Sequence, residues 1–235
     1  MEENTKTPEV FAPEAQKEMD AENGWSRLAS IIFYTLRLVY RATGFKEFLL
    51  SNFSHMSINL NLKQIWGFIY RVEKFQIDAI GLNKNDYSEI LKILLPKVAP
   101  SDEIIDLGCG NGEGLSVVAS GLPSCKIKGV DYCKKAVQLS SKKGLYASMQ
   151  KIQKITSPAD WFISIHTFEH FKNPYKLAKY FCVLARKGVV IQVPKPENNM
   201  SLFHVSCLDP EEMKKLGFEH IDMKSKNNNF VWLRK

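Results

Sequence analysis

The stretch E-I-I-D-L-G-C-G-N-G-E-G, Glu103–Gly114, decides how the rest of the chain is read. Ile104 and Ile105 ahead of Asp106 read as a short buried strand closed by an acid. Gly108, Gly110 and Gly112 then remove Cβ at three alternate positions, so a ligand can lie against bare backbone. From Leu115 to Ala119 a helical pattern begins, and its first-turn amides point back at the turn. Strand, glycine turn and helix, in that order, open a nucleotide-binding α/β domain.

The turn is not of the dinucleotide type. Counted from Gly108, the sixth position is Glu113, where that fingerprint needs Gly or Ala. Asp106 and Glu113 flank the turn; two acids repel a pyrophosphate and suit a cationic ligand. Some 25 positions after Asp106 a second short strand, Lys126–Asp131, again ends in an acid. A carboxylate there can accept both hydroxyls of a ribose. With both stretches in register, D-L-G-C-G-N-G (Asp106–Gly112) and G-V-D-Y (Gly129–Tyr132) resemble the first two motifs of the class I S-adenosylmethionine-dependent methyltransferases.

The resemblance covers about Ser101 to Lys235. It implies S-adenosylmethionine as cofactor, with Asp106, Gly108, Cys109, Gly110, Gly112, Asp131, Tyr132 and His166 around it. It also implies a seven-stranded Rossmann-like sheet whose last strand is antiparallel. The third-strand acid usual in the family is missing from M-Q-K-I-Q-K-I, Met149–Ile155, so the adenine contacts are not assigned.

The remaining 3.6- and 2-residue patterns alternate. Asp86–Leu95, Cys133–Lys143, Asn173–Leu184 and Pro210–Leu216 read as helices. Tyr146–Met149, Asp160–Ile165 and Gly188–Val193 read as strands, the last stopped by Pro194 and Pro196. Phe218–Met223 and Phe230–Arg234 read as a closing hairpin. Strands alternating with helices predict a doubly wound, mainly parallel sheet.

Ahead of this domain, residues 1–23 are expected to be a disordered acidic tail, with seven acids and two lysines. Residues 24–100 are expected to be an N-terminal helical cap forming the acceptor region. Within it, Trp25–Tyr40 has a helical period with Arg27, Arg37 and Arg41 on one arc. That helix can pack on the domain, cover a hydrophobic substrate, or make peripheral membrane contact with its arginines toward headgroups. Phe45–Phe75 continues apolar and aromatic, with a brief alternation at Ser57–Leu62.

Net charge is +7 in 235 residues, with 45% hydrophobic residues, enough for a sizeable core. The acidic tail leaves the rest of the chain strongly basic, which is compatible with nucleic acid, an anionic membrane surface or a phosphorylated substrate. No apolar run approaches the roughly 18 residues of a membrane span, and no signal-peptide pattern opens the chain. The five cysteines form no C-x-x-C pair, which suits reduced thiols and a cytoplasmic location. Cys109, inside the glycine turn, reads as a small packing residue.

After the fourth strand comes I-H-T-F-E-H-F, Ile165–Phe171. His166, Glu169 and His170 are spaced so that one helical turn would put them on one face, and His204 follows the neighbouring fifth strand. The set is similar to the E-x-x-E-H pattern with a later histidine in metal-dependent O-methyltransferases of ubiquinone biosynthesis and small-RNA 2′-O-methylation. Glu169, His170 and His204 match, and His166 stands where that pattern has Glu. Three imidazoles and a carboxylate suit zinc or another transition metal better than magnesium. Three roles are open for the catalytic candidates His166, Glu169, His170 and His204: divalent-metal ligands (Glu169, His170, His204), a metal-free histidine base, or loop-shaping residues. The last follows the E-H…N-P arrangement (Glu169, His170, Asn173, Pro174) of many small-molecule methyltransferases. His55 and His220 have no partner in sequence and read as ordinary.

The expected activity is O-methylation of a small-molecule, lipid-precursor or glycan-type acceptor. The alternatives are an RNA methyltransferase or a non-catalytic S-adenosylmethionine-binding scaffold. Acceptor and oligomeric state are not written in the sequence.

Overall fold

In the computed structural model the described residues are Trp66, Tyr70 and the stretches 84–195, 204–221 and 229–234. The chain divides into units 1–56 and 57–235, and every described residue lies in the second. The expectations for residues 1–23, for Trp25–Tyr40, for Ser57–Leu62 and for His55 lie outside the described residues.

Seven strands form one sheet: β1 (Glu103–Leu107), β2 (Lys126–Asp131), β3 (Ala147–Met149), β4 (Ala159–Ile165), β5 (Ala185–Pro194), β6 (Glu219–Ile221) and β7 (Asn229–Arg234). Their order is β3-β2-β1-β4-β5-β7-β6. All pairs from β3 through β5 are parallel, whereas β7 runs antiparallel to both β5 and β6. The doubly wound, mainly parallel expectation is met, including the antiparallel last strand.

The central strands read as continuous apolar runs because both faces are covered. In β4 only Asp160 is less than fully buried. One face carries α1 (Lys84–Leu94) and α2 (Glu113–Gly121), whose Tyr87, Ile90, Leu94 and Val118 pack with Ile104, Trp161, Ile163 and Val190. The other carries α4 (Pro174–Leu184), where Leu177 and Phe181 meet Phe162, Ile191 and Trp232. Two further helices are found among the described residues, α3 (Lys134–Lys142) and α5 (Pro210–Lys215). Although its sequence position put α1 in the cap, its apolar stripe lies in the core of the sheet domain.

β5 is longer than expected, starting at Ala185 and running through Pro194. Pro194 is tolerated because it ends the strand, opposite Asn229 of β7. At the amino ends of the strands, Asp102 accepts from Trp161 Nε1 (3.1 Å) and the Ala99 amide (3.0 Å) and pairs with Lys187. Asp160 accepts from the Glu103 amide (2.9 Å) and Arg186 Nε (3.0 Å). These anchors fix one end of the sheet. At the other end, chain direction away from β1 splits between β2 and β4, which opens the crevice where such sheets hold ligands.

Candidate active site

The glycine turn follows β1 into that crevice. Gly108, Gly110 and Gly112 have φ of 82°, 56° and 81°, the left-handed region that side chains disfavour. Gly112 is also the residue before α2, and its carbonyl accepts the Ser116 amide (2.9 Å). Cys109 is fully buried, and a Cβ on Gly129 would strike its sulfur, so it packs as expected.

Asp131, at the end of β2, braces this turn. Its Oδ2 accepts the Gly110 amide (3.0 Å) and its Oδ1 the Cys133 amide (2.8 Å). Burial pushes its carboxyl up to about 6 against those hydrogen bonds. Asp106, in β1, is fully buried as well. Burial pushes its carboxyl up to about 7; the Tyr87 hydroxyl opposes the rise and the Asp131 charge adds to it. Tyr87 donates to Asp106 Oδ2 (3.1 Å), while Oδ1 is buried without a hydrogen-bond partner.

Sequence reasoning missed Tyr87, and the signal for it was Gly114. A Cβ at that position would sit inside the Tyr87 ring, so the glycine exists to let α1 reach the turn. Asp86 was missed too. It falls on the same stripe as Ile90 and Ile93, all buried, where a solvated acid does not belong. Its Oδ2 lies 3.3 Å from His166 Nε2.

The loop after β4 does not form the helical turn expected from the spacing. His166 has φ 52° and precedes a single 3₁₀ turn, Phe168–His170. The four candidates still converge. His166 Nδ1 is 3.5 Å and His204 Nε2 is 3.9 Å from Glu169 Oε1, and the His170 and His204 rings are 5.2 Å apart at a steep angle. The Glu169 carbonyl accepts the Val205 (2.9 Å) and Ser206 (3.1 Å) amides, which carries His204 to the turn. Trp66 lies edge-on to His170 at 5.2 Å. A Cβ on Gly108 would strike Thr167, so this loop sits directly on the glycine turn.

His166 lies between two carboxylates, Asp86 and Glu169. Burial alone would lower its pKa, but hydrogen bonding and charge from Asp86 and Glu169 raise it to about 9. At neutral pH it is an imidazolium with no lone pair to offer. By geometry the metal-compatible set is Glu169, His170 and His204, with one ligand atom each within 4.8 Å, instead of three imidazoles and a carboxylate. Glu169 is buried, which disfavours its charge, yet the three histidines hold its pKa below the usual value. Its Oε1 faces both His166 and His204. Asn173 caps α4 by accepting the Lys176 amide (3.1 Å), with Pro174 in the first turn, so that dipeptide is a helix start. His220 packs on Trp232 at the sheet edge, as an ordinary residue would.

A crevice at the strand switch, a bare glycine turn and a carboxylate hydrogen-bonded to that turn define a Rossmann-like S-adenosylmethionine-dependent methyltransferase. The chain belongs to the methyltransferase-domain family whose model matches residues 81–228, more than half its length. Among solved structures it is similar to magnesium protoporphyrin IX methyltransferase from Synechocystis PCC 6803 with S-adenosylmethionine bound. That match has 14% identity and a TM-score of 0.52, covering 85% of this chain and 93% of that one. It is similar also to the plantazolicin methyltransferase in complex with S-adenosylhomocysteine, at 15% identity and TM-score 0.51, covering 77% and 97%. A third is an S-adenosylmethionine-dependent methyltransferase from Archaeoglobus fulgidus, at 16% and 0.50, covering 64% and 93%. At such identities the likeness is one of fold. No curated protein matches the sequence. Among the described residues no helix is long and apolar enough to cross a membrane.

Proposed function

We propose that the chain transfers the methyl group to an oxygen of a small acceptor. The observation that supports this is the buried Glu169 with His170 and His204, set at the carboxyl ends of β4 and β5 against the glycine turn. Asp131 receives the ribose hydroxyls, and the Asp106–Gly112 turn lies beneath the methionine moiety. Gly108, Cys109 and Gly110 supply bare backbone, and Tyr132 flanks the nucleoside side. The acceptor oxygen attacks the methyl carbon in line with the carbon–sulfur bond, and S-adenosylhomocysteine leaves as a neutral thioether. Most of the rate comes from alignment and exclusion of water. The hydroxyl proton passes to an imidazole of His170 or His204, whose charge Glu169 then balances. His166, held as a cation, keeps Glu169 ionised and the loop in place.

Glu169, His170 and His204 also offer one carboxylate and two imidazoles, a set that fits zinc or another transition metal. The closeness of the three ligand atoms, one from each residue and all within 4.8 Å, favours this second reading. A bound cation would act as a Lewis acid that lowers the pKa of the acceptor hydroxyl.

The test uses labelled S-adenosylmethionine with a panel of phenols, hydroxy acids and sugars, and with RNA. Label on an oxygen of a small acceptor is expected; label on RNA alone overturns the reading. His170→Ala and His204→Ala should lose turnover while S-adenosylhomocysteine affinity, measured by calorimetry, stays within about twofold. Chelation that removes activity, with return on added zinc, selects the metal route.

A further inference from the structure

The described residues handle their cations in two ways. Some sit beside an acid: Lys92 with Glu89 (2.7 Å), Arg186 with Asp160 (3.0 Å), Lys214 with Glu211 (2.7 Å) and Lys215 with Glu212 (2.6 Å). Others, such as Lys97, Lys172, Lys176 and Lys179, are scattered singly over the surface. At the β3 edge the lysines are instead gathered together with no acid among them. The 28 residues between Asp131 and Asp160 contain six lysines and no acid. Of the six, Lys143 alone makes an ion pair among the described residues, with Glu113 (2.5 Å). Lys126 and Lys128 of β2 add to the same edge.

This edge is also where aromatic and thioether surface is left in water. Tyr146 is 68% exposed and Met149 54% exposed, and the Lys128 ammonium lies 5.6 Å from the centre of the Tyr146 ring. Among the described residues β3 pairs with β2 alone, which makes it the outer strand of the sheet there. Around the two apolar side chains stand lysines, Ser148, Gln150 and Gln153, not the row of apolar residues that a membrane face requires.

We propose that the β3 edge is a docking surface for single-stranded nucleic acid, with the unpaired lysines against phosphates and Tyr146 as a stacking platform for a base. Uncompensated lysines release counterions when they meet phosphates, and an exposed ring accepts any base face. The inference does not rest on the oxygen-acceptor reading. β2 and β1 separate β3 from β4, three strand spacings or ~14 Å. A strand docked here is held at a distance from the transferred methyl.

The experiment is fluorescence anisotropy of a short labelled single-stranded RNA of mixed sequence titrated with the full chain, at low and physiological salt. Binding that weakens with salt is expected. Lys126→Glu, Lys142→Glu and Lys154→Glu together should weaken it about tenfold or more, with a salt slope shallower by about 2. Tyr146→Ala should weaken it by about fivefold or more, the low end of a lost base stack. S-adenosylhomocysteine affinity, unchanged in both, reports that they fold; the three alanine substitutions serve if the glutamates do not. Four results overturn the proposal: no RNA binding at low salt, binding indifferent to the lysines, binding indifferent to Tyr146, or anionic vesicles captured through these lysines in preference to RNA.

Discussion

Asp106 has given one oxygen to Tyr87 and keeps the other buried without a hydrogen bond. Such an oxygen needs a proton or a cation, and the ligand of this family supplies an ammonium. With Asp106 near 7 and Asp131 near 6, the ligand-free site holds protons that a cationic ligand must displace. S-adenosylhomocysteine affinity should therefore rise from pH 5.5 to 8, with proton release near pH 6.5 seen as buffer-dependent heats in calorimetry. Tyr87→Phe removes a bond that favours the charged carboxylate, so affinity should fall about tenfold at pH 7 and the deficit shrink by pH 8.5. Asp131→Ala should cost about 1.5–3 kcal/mol in affinity. The two acids and the glycines were legible because their spacing is local. Tyr87 and Asp86 were not, because their partners Asp106 and His166 lie 19 and 80 positions away.

Among the elements, α1 shows what pattern reading can and cannot reach. Its period was plain, but its place on the sheet depended on a contact with α2 that no local pattern encodes. Gly114 makes the contact: α2 has no side chain there, and Tyr87 fills the gap. Gly114→Ala should lower stability by about 1–3 kcal/mol, read as a lower midpoint in thermal or urea unfolding, and should also weaken cofactor binding through Tyr87. A variant with normal stability would mean that the helices part without cost. The loop after β4 teaches the converse. Its histidines and Glu169 were identified by spacing, yet the imagined helix is a left-handed residue followed by a 3₁₀ turn. The residues converge because Gln192 accepts the His166 amide (3.0 Å) and Glu169 holds the segment after His204.

Taken as a whole, the molecule stores protons. Asp106, Asp131 and His166 all have raised pKa values in the fold, so the folded state binds more protons than the unfolded one. The contribution of the two acids is present at low pH and lost as pH rises through about 6 and 7. That of His166 is present below its ordinary pKa and lost as pH rises through about 9. Asp160, held at about 2 by Arg186 and the Glu103 amide, acts oppositely and loses its contribution only in strong acid. The thermal midpoint of the ligand-free protein should therefore peak near ~pH 4 and decline toward pH 9, with S-adenosylhomocysteine flattening the first part of the decline. The order of the strands carries a further consequence, for synthesis. β7 lies between β5 and β6, so β5 has no neighbour on that side until residues 229–234 leave the ribosome. At ~5–20 residues per second, the 40 positions from the end of β5 to the end of β7 take roughly two to eight seconds. Throughout that interval Gly188–Val193, uncharged and rich in β-branched residues, is an open template for another nascent chain.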